Sequence, residues 1–292
     1  PAAPAHVKTV PTQNYTFDVT IKENHAYLAD GNAGLRVIDI SSPGSPKQVG
    51  NYSMAHSYSD AKSVYIENDY AYVIFHWSNL VIMDISIPST PIPVSFYRTY
   101  WGGTDVVVAD GKCFVATIEG DENGGALEII DVSTPSNPFK LGYWQIYGIT
   151  HGVRVNGNYA YVTGNAFHSD EDIGFWIIDV SDPTSPVTVG TVPLSNYVTG
   201  LDYRDGRVYT CDNYYFYCIN VDSPAAPRVS WKLDIPKQGQ GVYISGNTAY
   251  VADDVAGLLT VGIQSQDPPV IKGRHQPPGC NSTTDIAVHG NY

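Results

Sequence analysis

The sequence is poor in positive charge and lacks long apolar runs, and each shortage excludes a class of partner. Only 16 Lys and Arg residues oppose 29 Asp and Glu residues among 292, which gives a formal net charge of −13. A surface of this sign repels phosphate groups, so nucleic acid and anionic membranes are excluded. No apolar run approaches the length of a membrane span, so we expect no membrane-spanning segment.

Cysteine is also scarce. Four cysteines are too few for a disulfide framework, and their spacing fits no zinc site. Cys211 and Cys218 flank a short turn, where opposite strands of a hairpin can bring their Cβ atoms within bonding range. Two interpretations are open: a disulfide, or two small buried residues in neighbouring strands.

One block of sequence, in contrast, recurs through nearly the whole chain. It combines an alternating strand, a polar turn and a small-aromatic-apolar run. The six copies cover residues 18–30, 63–75, 105–117, 152–164, 200–212 and 241–253. Their aligned aromatic residues are Tyr27, Tyr72, Phe114, Tyr161, Tyr209 and Tyr250, at intervals of 45, 42, 47, 48 and 41 residues.

Each block continues into a β-branched strand that ends in an acidic residue, as at residues 35–40, 80–85, 127–132 and 175–180. A Pro-x-x-Pro corner and one short outer strand follow. Four strands per repeat of roughly 40–48 residues predict an all-β propeller of four-stranded antiparallel blades. Because the acid recurs in register in four blades, we interpret it as a structural cap.

The central strands of each blade are expected to lie between neighbouring blades. The residues predicted in this inter-blade core are Tyr27, Ile38, Ile82, Ile130, Ile178 and Val251. Cys113 replaces an alanine that stands at the same position in four other repeats, so we predict a buried, unpaired thiol.

The two ends of the sequence predict a seventh, split blade. Residues 285–292 align with residues 18–25, and Pro1, Pro4 and Val7 align with a corner and its outer strand. We expect one propeller domain over 1–292, with 1–13 as the outer strand of the last blade, 14–284 as six blades and 285–292 as the inner strand of the last blade. The equivalents of positions 26–42, which are 42 − 25 = 17 residues, are missing from that blade. Further residues of the natural chain, or a hairpin or strand from a neighbouring molecule, would fill the gap.

The strand pattern Leu-x-Ile-Ile-Asp-Val-Ser-x-Pro resembles the LVIVD-repeat family over almost the whole chain. Blades five and six depart from it, with residues 219–222 and 259–263 in place of Ile-Asp-Val-Ser, which predicts a weaker cap there. The resemblance implies a secreted or surface-anchored bacterial or archaeal propeller, located outside the cell or at its surface, with no assigned reaction.

Aromatic residues recur in the loops that join one blade to the next. These loops share a face of the propeller with the turns between second and third strands, and we call it the ligand face. Its aromatic candidates are Tyr15, Tyr58, Trp101, Tyr147 and Tyr197, and His151 begins an inner strand near the channel mouth. A ring of this kind stacks on sugars or packs against a protein. Framework packing between blades is the alternative.

Two acidic insertions on the same face suggest a metal site. Asp121 and Glu122 lie in one insertion and Asp170 and Asp172 in the other, and carboxylates are hard oxygen ligands of the type that Ca²⁺ prefers. Neither insertion has EF-hand spacing, and solvated acidic turns are the alternative. Calcium is the only cofactor that the sequence suggests.

Three glycosylation sequons begin at Asn14, Asn51 and Asn281, where modification and chance occurrence are both open.

No nucleophile elbow, phosphate loop, His-Glu-x-x-His motif or His–Cys pair is present. We therefore predict a non-catalytic extracellular module that binds a protein or glycan surface or self-assembles through the incomplete blade. The alternative is a polysaccharide hydrolase or lyase with its site at the channel mouth.

Overall fold

The computed structural model describes residues 4–54, 60–76, 79–99, 102–118, 124–166, 174–194, 197–263, 269–279, 282–290 and 292. These residues form six four-stranded antiparallel sheets, each made of four consecutive strands. Blade one contains β1 (Asp18–Lys22), β2 (His25–Ala29), β3 (Leu35–Asp39) and β4 (Lys47–Tyr52). Blade two contains β5 (Ala61–Glu67), β6 (Tyr70–Phe75), β7 (Asn79–Asp84) and β8 (Ile92–Tyr97). Blade three contains β9 (Gly103–Ala109), β10 (Lys112–Thr117), β11 (Ala126–Asp131) and β12 (Phe139–Gln145). Blade four contains β13 (Gly148–Asn156), β14 (Tyr159–Ala166), β15 (Gly174–Asp179) and β16 (Val187–Pro193). Blade five contains β17 (Leu201–Arg204), β18 (Arg207–Cys211), β19 (Tyr215–Asn220) and β20 (Arg228–Asp234). Blade six contains β21 (Gly241–Ser245), β22 (Thr248–Ala252), β23 (Leu258–Gly262) and β24 (Val270–His275).

The first two strands of a blade are joined by a two-residue hairpin turn. In blade three the turn residues Asp110 and Gly111 have φ angles of 50° and 69°, and in blade five Asp205 and Gly206 have 47° and 72°. This left-handed pair matches the twist of the flanking strands, and Asp-Gly adopts it at low cost. The polar turns read from the repeat are therefore the turns that set the strand register.

The predicted inter-blade core is confirmed. All six residues named for it are buried, with exposed fractions between 0% and 4%: Tyr27, Ile38, Ile82, Ile130, Ile178 and Val251. Cys113 is also buried and unpaired, as predicted.

The acid that ends each third strand caps the turn that follows it. Asp39 Oδ1 accepts the backbone N–H of Ser41 at 2.8 Å, and Asp84, Asp131 and Asp179 repeat this bond. In blade five Asn220 Oδ1 accepts the N–H of Asp222 at 3.1 Å. The cap of blade five is therefore kept, but a neutral amide oxygen accepts a weaker bond than a carboxylate does, in agreement with the expectation.

Glycines in the outer strands allow the corner of the next blade to approach. A Cβ on Gly50 would collide with the carbonyl oxygen of Pro88, and Gly142 meets Pro183 in the same way. The Pro-x-x-Pro corner therefore both ends a third strand and packs on the outer strand of the preceding blade.

Among the described residues, blade six does not pack on blade one as closely as the other neighbouring blades pack on each other. In the described part of the chain, inner strands pack in the order β1, β5, β9, β13, β17 and β21. Residues 4–13 and 282–289 form no strand, so the predicted seventh sheet is not formed by the described residues. Two chain segments cannot pair across the positions of two missing central strands, and six blades is the architecture observed.

Helix is almost absent from the described segments. A three-residue 3₁₀ helix at Asp254–Ala256 is recorded, and no described helix has the length and apolar character needed to cross a membrane.

Candidate functional site

Carboxylates of the inner strands connect neighbouring blades around the central channel. Each carboxylate accepts a hydrogen bond from a backbone N–H in the inner strand that follows it around the ring. In the alignment of the repeats, the donor stands one position after the acid. The four bonds run from Val64 to Asp18 (2.7 Å), from Val153 to Asp105 (2.9 Å), from Ile244 to Asp202 (2.8 Å) and from Val19 to Asp285 (3.0 Å). We call these four acids the inter-blade carboxylates.

Asp105 illustrates how fully these groups are engaged. Besides the N–H of Val153, it accepts bonds from Arg154 Nη1 at 2.9 Å, the N–H of Val106 at 2.9 Å and Ser63 Oγ at 3.1 Å. A carboxylate offers about four acceptor positions, so these donors occupy its capacity. Desolvation raises the pKa of Asp105, and the positive charge of Arg154 opposes that rise.

Asp18 and Asp285 form a second kind of contact, because their side chains hydrogen-bond to each other. Desolvation, followed by the charge of Asp18, raises the pKa of Asp285 well above its usual value. Two adjacent carboxylates cannot both ionise cheaply, and the raised pKa favours the protonated form of Asp285.

Arg154 is the cation at the centre of these acids. Desolvation lowers the pKa of its guanidinium, but the charges of the four inter-blade carboxylates outweigh that effect and raise the pKa overall. One cation among four acids leaves an excess of negative charge, which the raised pKa values of Asp105, Asp202 and Asp285 relieve.

A cavity of about 420 Å³ opens above this cluster on the ligand face. Lys62 lies in its wall, with Nζ 3.4 Å from the centroid of the Phe17 ring and 3.5 Å from a carboxylate oxygen of Asp60. Desolvation lowers the pKa of Lys62. The pKa of His76 is also lowered, mainly by desolvation and to a smaller extent by the charge of Lys62. The hydroxyl-bearing Thr104 also lines the cavity.

His151 and Tyr197 form an aromatic pair in the same cavity. Their ring centroids are 4.2 Å apart with planes inclined by 48°, and His151 Nε2 lies 2.7 Å from Asn165 Oδ1. Desolvation lowers the pKa of His151, which favours the neutral ring near pH 7. A neutral imidazole that donates to Asn165 is held in one orientation.

The predicted aromatic ring is only partly assembled. Tyr15, Tyr147 and Tyr197 are all exposed, but of these only Tyr197 lines the cavity. Tyr15 instead packs on Phe17, a cavity residue, at 5.9 Å between ring centroids. Tyr58 and Trp101 lie outside the described residues.

The predicted metal ligands cannot be placed. Asp121, Glu122, Asp170 and Asp172 all lie outside the described residues, so calcium binding stays a prediction. Within the described ranges, no group of three or more His, Cys, Asp or Glu side chains is arranged to hold a metal ion.

The disulfide interpretation of Cys211 and Cys218 is wrong. Both thiols are free and buried. The hairpin register pairs Cys211 with Phe216 and Cys218 with Tyr209, so the two cysteines are diagonal neighbours rather than direct partners. They are the small buried residues of the second interpretation.

Two of the three sequon asparagines can be placed. Asn14 and Asn51 are exposed, and Asn281 lies outside the described residues. Glycosylation stays a prediction at all three.

Sequence reasoning missed the inter-blade carboxylates and Arg154. A signal was present, because Asp18, Asp105 and Asp285 share the first position of the inner strand. Which N–H each acid meets depends on how the blades close into a ring, and a single repeat does not contain that information.

Comparison with solved structures shows the propeller fold. A functionally unknown protein from Desulfotomaculum acetoxidans superposes with a TM-score of 0.74 at 12% identity, covering 95% of this chain and 90% of that one. The periplasmic gluconolactonase PpgL of Pseudomonas aeruginosa gives 0.73 at 11%, covering 92% and 86%. BamB from Moraxella catarrhalis gives 0.62 at 15%, covering 96% and 79%. No curated protein matches the sequence.

A family model described as "LVIVD repeat" matches five segments, at residues 14–54, 59–99, 105–143, 147–193 and 237–274. The matched segments cover more than half of the sequence and include blades one to four and blade six. The chain belongs to the LVIVD repeat family.

Proposed function

We propose that this propeller is a non-catalytic extracellular binding module that takes a glycan at the mouth of its central channel. The observation that carries the proposal is the His151–Tyr197 pair in a cavity of about 420 Å³. Sugars present both apolar C–H faces and hydroxyls, and they bind where an aromatic face lies beside fixed hydrogen-bonding groups.

The polar groups of the cavity suit such a ligand. Lys62 offers N–H donors, and the Asn165 contact fixes the ring of His151 so that little rotational entropy is lost on binding. A protein side chain at the same mouth is the other ligand class consistent with exposed Tyr15 and Tyr147.

An extracellular location is part of the proposal. It is supported by the family resemblance and by the exposed sequon residues Asn14 and Asn51. The acidic surface agrees with a module that avoids nucleic acid.

Binding to an array of polysaccharide fragments, followed by calorimetry on the best fragment, tests the proposal. We expect Tyr197→Ala and His151→Ala each to weaken binding about tenfold or more, in line with the value of aromatic contacts. Tyr143→Ala is the matched control, because Tyr143 is an exposed tyrosine on the outer strand β12. Equal loss in all three variants, or no glycan binding, contradicts the proposal.

A hydrolase or lyase is the second candidate, and one observation favours it. Asp105 and Asp285 line the cavity and have raised pKa values, a property that general acids share. We infer a structural role instead, because the oxygens of Asp105 already accept four bonds.

Mass spectrometry of a bound fragment after long incubation distinguishes the two candidates. We expect an intact fragment with the unmodified protein. The enzyme is established if the unmodified protein releases shorter products, whereas Asp105→Asn binds the fragment and releases none.

A further inference from the structure

A second cavity, of about 480 Å³, opens between blades five and six on the face opposite the ligand face. Its wall contains Asp205, from the turn between the first two strands of blade five, and Gly246 and Asn247, from the matching turn of blade six. None of its described lining residues belongs to the cavity at the channel mouth. The two cavities are therefore separate sites.

Two arginines give this second cavity a positive lining in an acidic protein. Arg204 ends β17 and Arg207 begins β18, and the described lining holds one acid beside them, Asp205. Arg204 Nε lies 3.3 Å from Asp205 Oδ2, but the Asp205 side chain is 89% exposed, so water screens this pair. The lining keeps a net positive charge, although the whole chain carries −13.

The two arginines stand directly opposite each other in their hairpin, where like charges repel. Arg204 pairs with Arg207 in the register of β17 and β18. Nη1 of Arg207 is also buried and has no hydrogen-bond partner in the described part of the chain. An anion bound between the two guanidinium groups would relieve the repulsion and accept from their donors. The other five hairpins pair Lys22 with His25, Glu67 with Tyr70, Ala109 with Lys112, Asn156 with Tyr159 and Ser245 with Thr248.

Blades one and two show how the repeat satisfies a cation at this position. Lys22, in the register of Arg204, donates across the junction to the carbonyl of Asn68 and to Asp69 Oδ1, the latter at 2.6 Å. Blade six has Asn247 where blade two has Asp69, so the neighbouring turn offers Arg204 no carboxylate. The junction between blades five and six thus has the cations of a carboxylate site without the carboxylate.

The rest of the wall is apolar and sets the size of what fits. Tyr209 and Ile263 line the cavity and are 7% and 8% exposed. Desolvation raises the pKa of Tyr209 to about 12, and the charges of Arg207 and Arg204 oppose that rise, so both guanidinium groups lie near its ring. The volume falls in the range of roughly 300–1,000 Å³ in which small molecules bind.

We propose that this cavity binds the carboxylate of a small organic acid between the guanidinium groups of Arg204 and Arg207. The fork of a guanidinium matches the two oxygens of a carboxylate. Two arginines and one aspartate leave a single positive charge, which a carboxylate neutralises, whereas a phosphate monoester carries about 1.5–2 negative charges at pH 7. The proposal does not depend on glycan binding at the channel mouth.

Calorimetry on the intact chain tests the proposal with two acids of different body, glucuronate and benzoate. Each acid is compared with its neutral amide, glucuronamide or benzamide, and inorganic sulfate and inorganic phosphate are separate arms that distinguish other oxyanions. We expect at least one acid to bind about tenfold or more tighter than its amide and to raise the melting temperature. That acid should also bind more tightly than sulfate or phosphate.

Asn247→Asp is the sharpest variant, because it gives blade six the acid that blade two has and keeps the size of the side chain. We expect it to raise the melting temperature without ligand and to weaken binding of the acid at least about tenfold. Arg204→Gln and Arg207→Gln should each weaken binding by a similar factor. Arg228→Gln, on an exposed position of β20 in the same blade, is the matched control and should leave binding unchanged.

Three results would overturn the proposal. The first is that neither acid binds more tightly than its amide. The second is tighter binding of sulfate or phosphate than of either acid, which would assign the cavity to another oxyanion. The third is acid binding that both Arg207→Gln and Asn247→Asp retain in full, which would place the acid elsewhere on the protein.

Discussion

The junction between blades two and three and the junction between blades six and one use the same registers of the repeat, but they differ in what covers them. Tyr72 is 2% exposed because blade three packs on it, whereas Tyr250, at the same register position in blade six, is partly exposed. The sequence pattern of a blade therefore specifies which residues can be buried. The neighbouring blade decides whether they are.

Truncation of one apolar residue at each junction should give the largest contrast. Ile130 is completely buried, so Ile130→Ala should cost about 2–5 kcal/mol through lost burial and a cavity. Leu28→Ala, in β2 of blade one, should cost about half as much or less, because Leu28 already keeps part of its contact with water. Urea denaturation measures both, and a loss below about 0.5 kcal/mol for Ile130→Ala contradicts the core assignment.

The inter-blade carboxylates sharpen the comparison at the channel. Asp105→Ala should cost about 2–3 kcal/mol, because it removes four hydrogen bonds and the partner of Arg154. Asp285→Ala should cost about 1–2 kcal/mol, since it removes the bond from Val19 and the hydrogen bond with Asp18. Asp285→Asn, which keeps an acceptor oxygen, should be nearly neutral in the same denaturation experiment. A larger cost for Asn than for Ala would contradict the role of Asp285 as a hydrogen-bonding partner of Val19 and Asp18.

The pH dependence of Asp253, in the turn of blade six, tests how desolvation acts on a buried carboxyl. Desolvation raises the pKa of this carboxyl to about 6. A raised folded-state pKa means that its stabilising contribution is complete below the unfolded value near 4 and is lost as the pH rises through about 6. The melting temperature of Asp253→Asn relative to the unmodified protein should therefore increase between pH 4 and pH 7. A difference that is constant across this range shows that Asp253 does not titrate there.

Thiol labelling gives the smallest expected signal. Desolvation raises the pKa of Cys211 to about 12 and of Cys218 to about 11, and it raises that of Cys113 well above the usual range. All three thiols should stay unlabelled in the native protein at pH 8 and react fully in urea. Rapid native labelling of Cys113, located by peptide mapping, would show that its junction opens readily.

Most of the fold could be predicted because every copy of the repeat carries the same local signals. The alternating inner strand, the polar turn and the Pro-x-x-Pro corner each have a local cause, so the six blades and the inter-blade core followed from the sequence. The seventh sheet did not follow, because a sheet needs all of its strands, and residues 285–292 supply an inner segment without a middle hairpin.

The candidate site was predicted less well for a different reason. Tyr197 was recognised because its loop position recurs in register, and His151 because it begins an inner strand, but their mutual packing depends on two different blades. The bonds from Asp285 to Val19 and from Asp18 to Val64 join residues that are 266 and 46 positions apart. Contacts of this range are fixed by closure of the ring and leave no local pattern.

Hydrogen exchange at four backbone amides tests most directly whether residues 282–288 close the ring. The amides are those of Val64, Val153, Ile244 and Val19, each of which donates to an inter-blade carboxylate. We predict that Val19 is protected to within about tenfold of the other three, and that Asp285→Ala removes protection from Val19 alone. Exchange of Val19 at the rate of an open chain, while the other three stay protected, would contradict closure through Asp285.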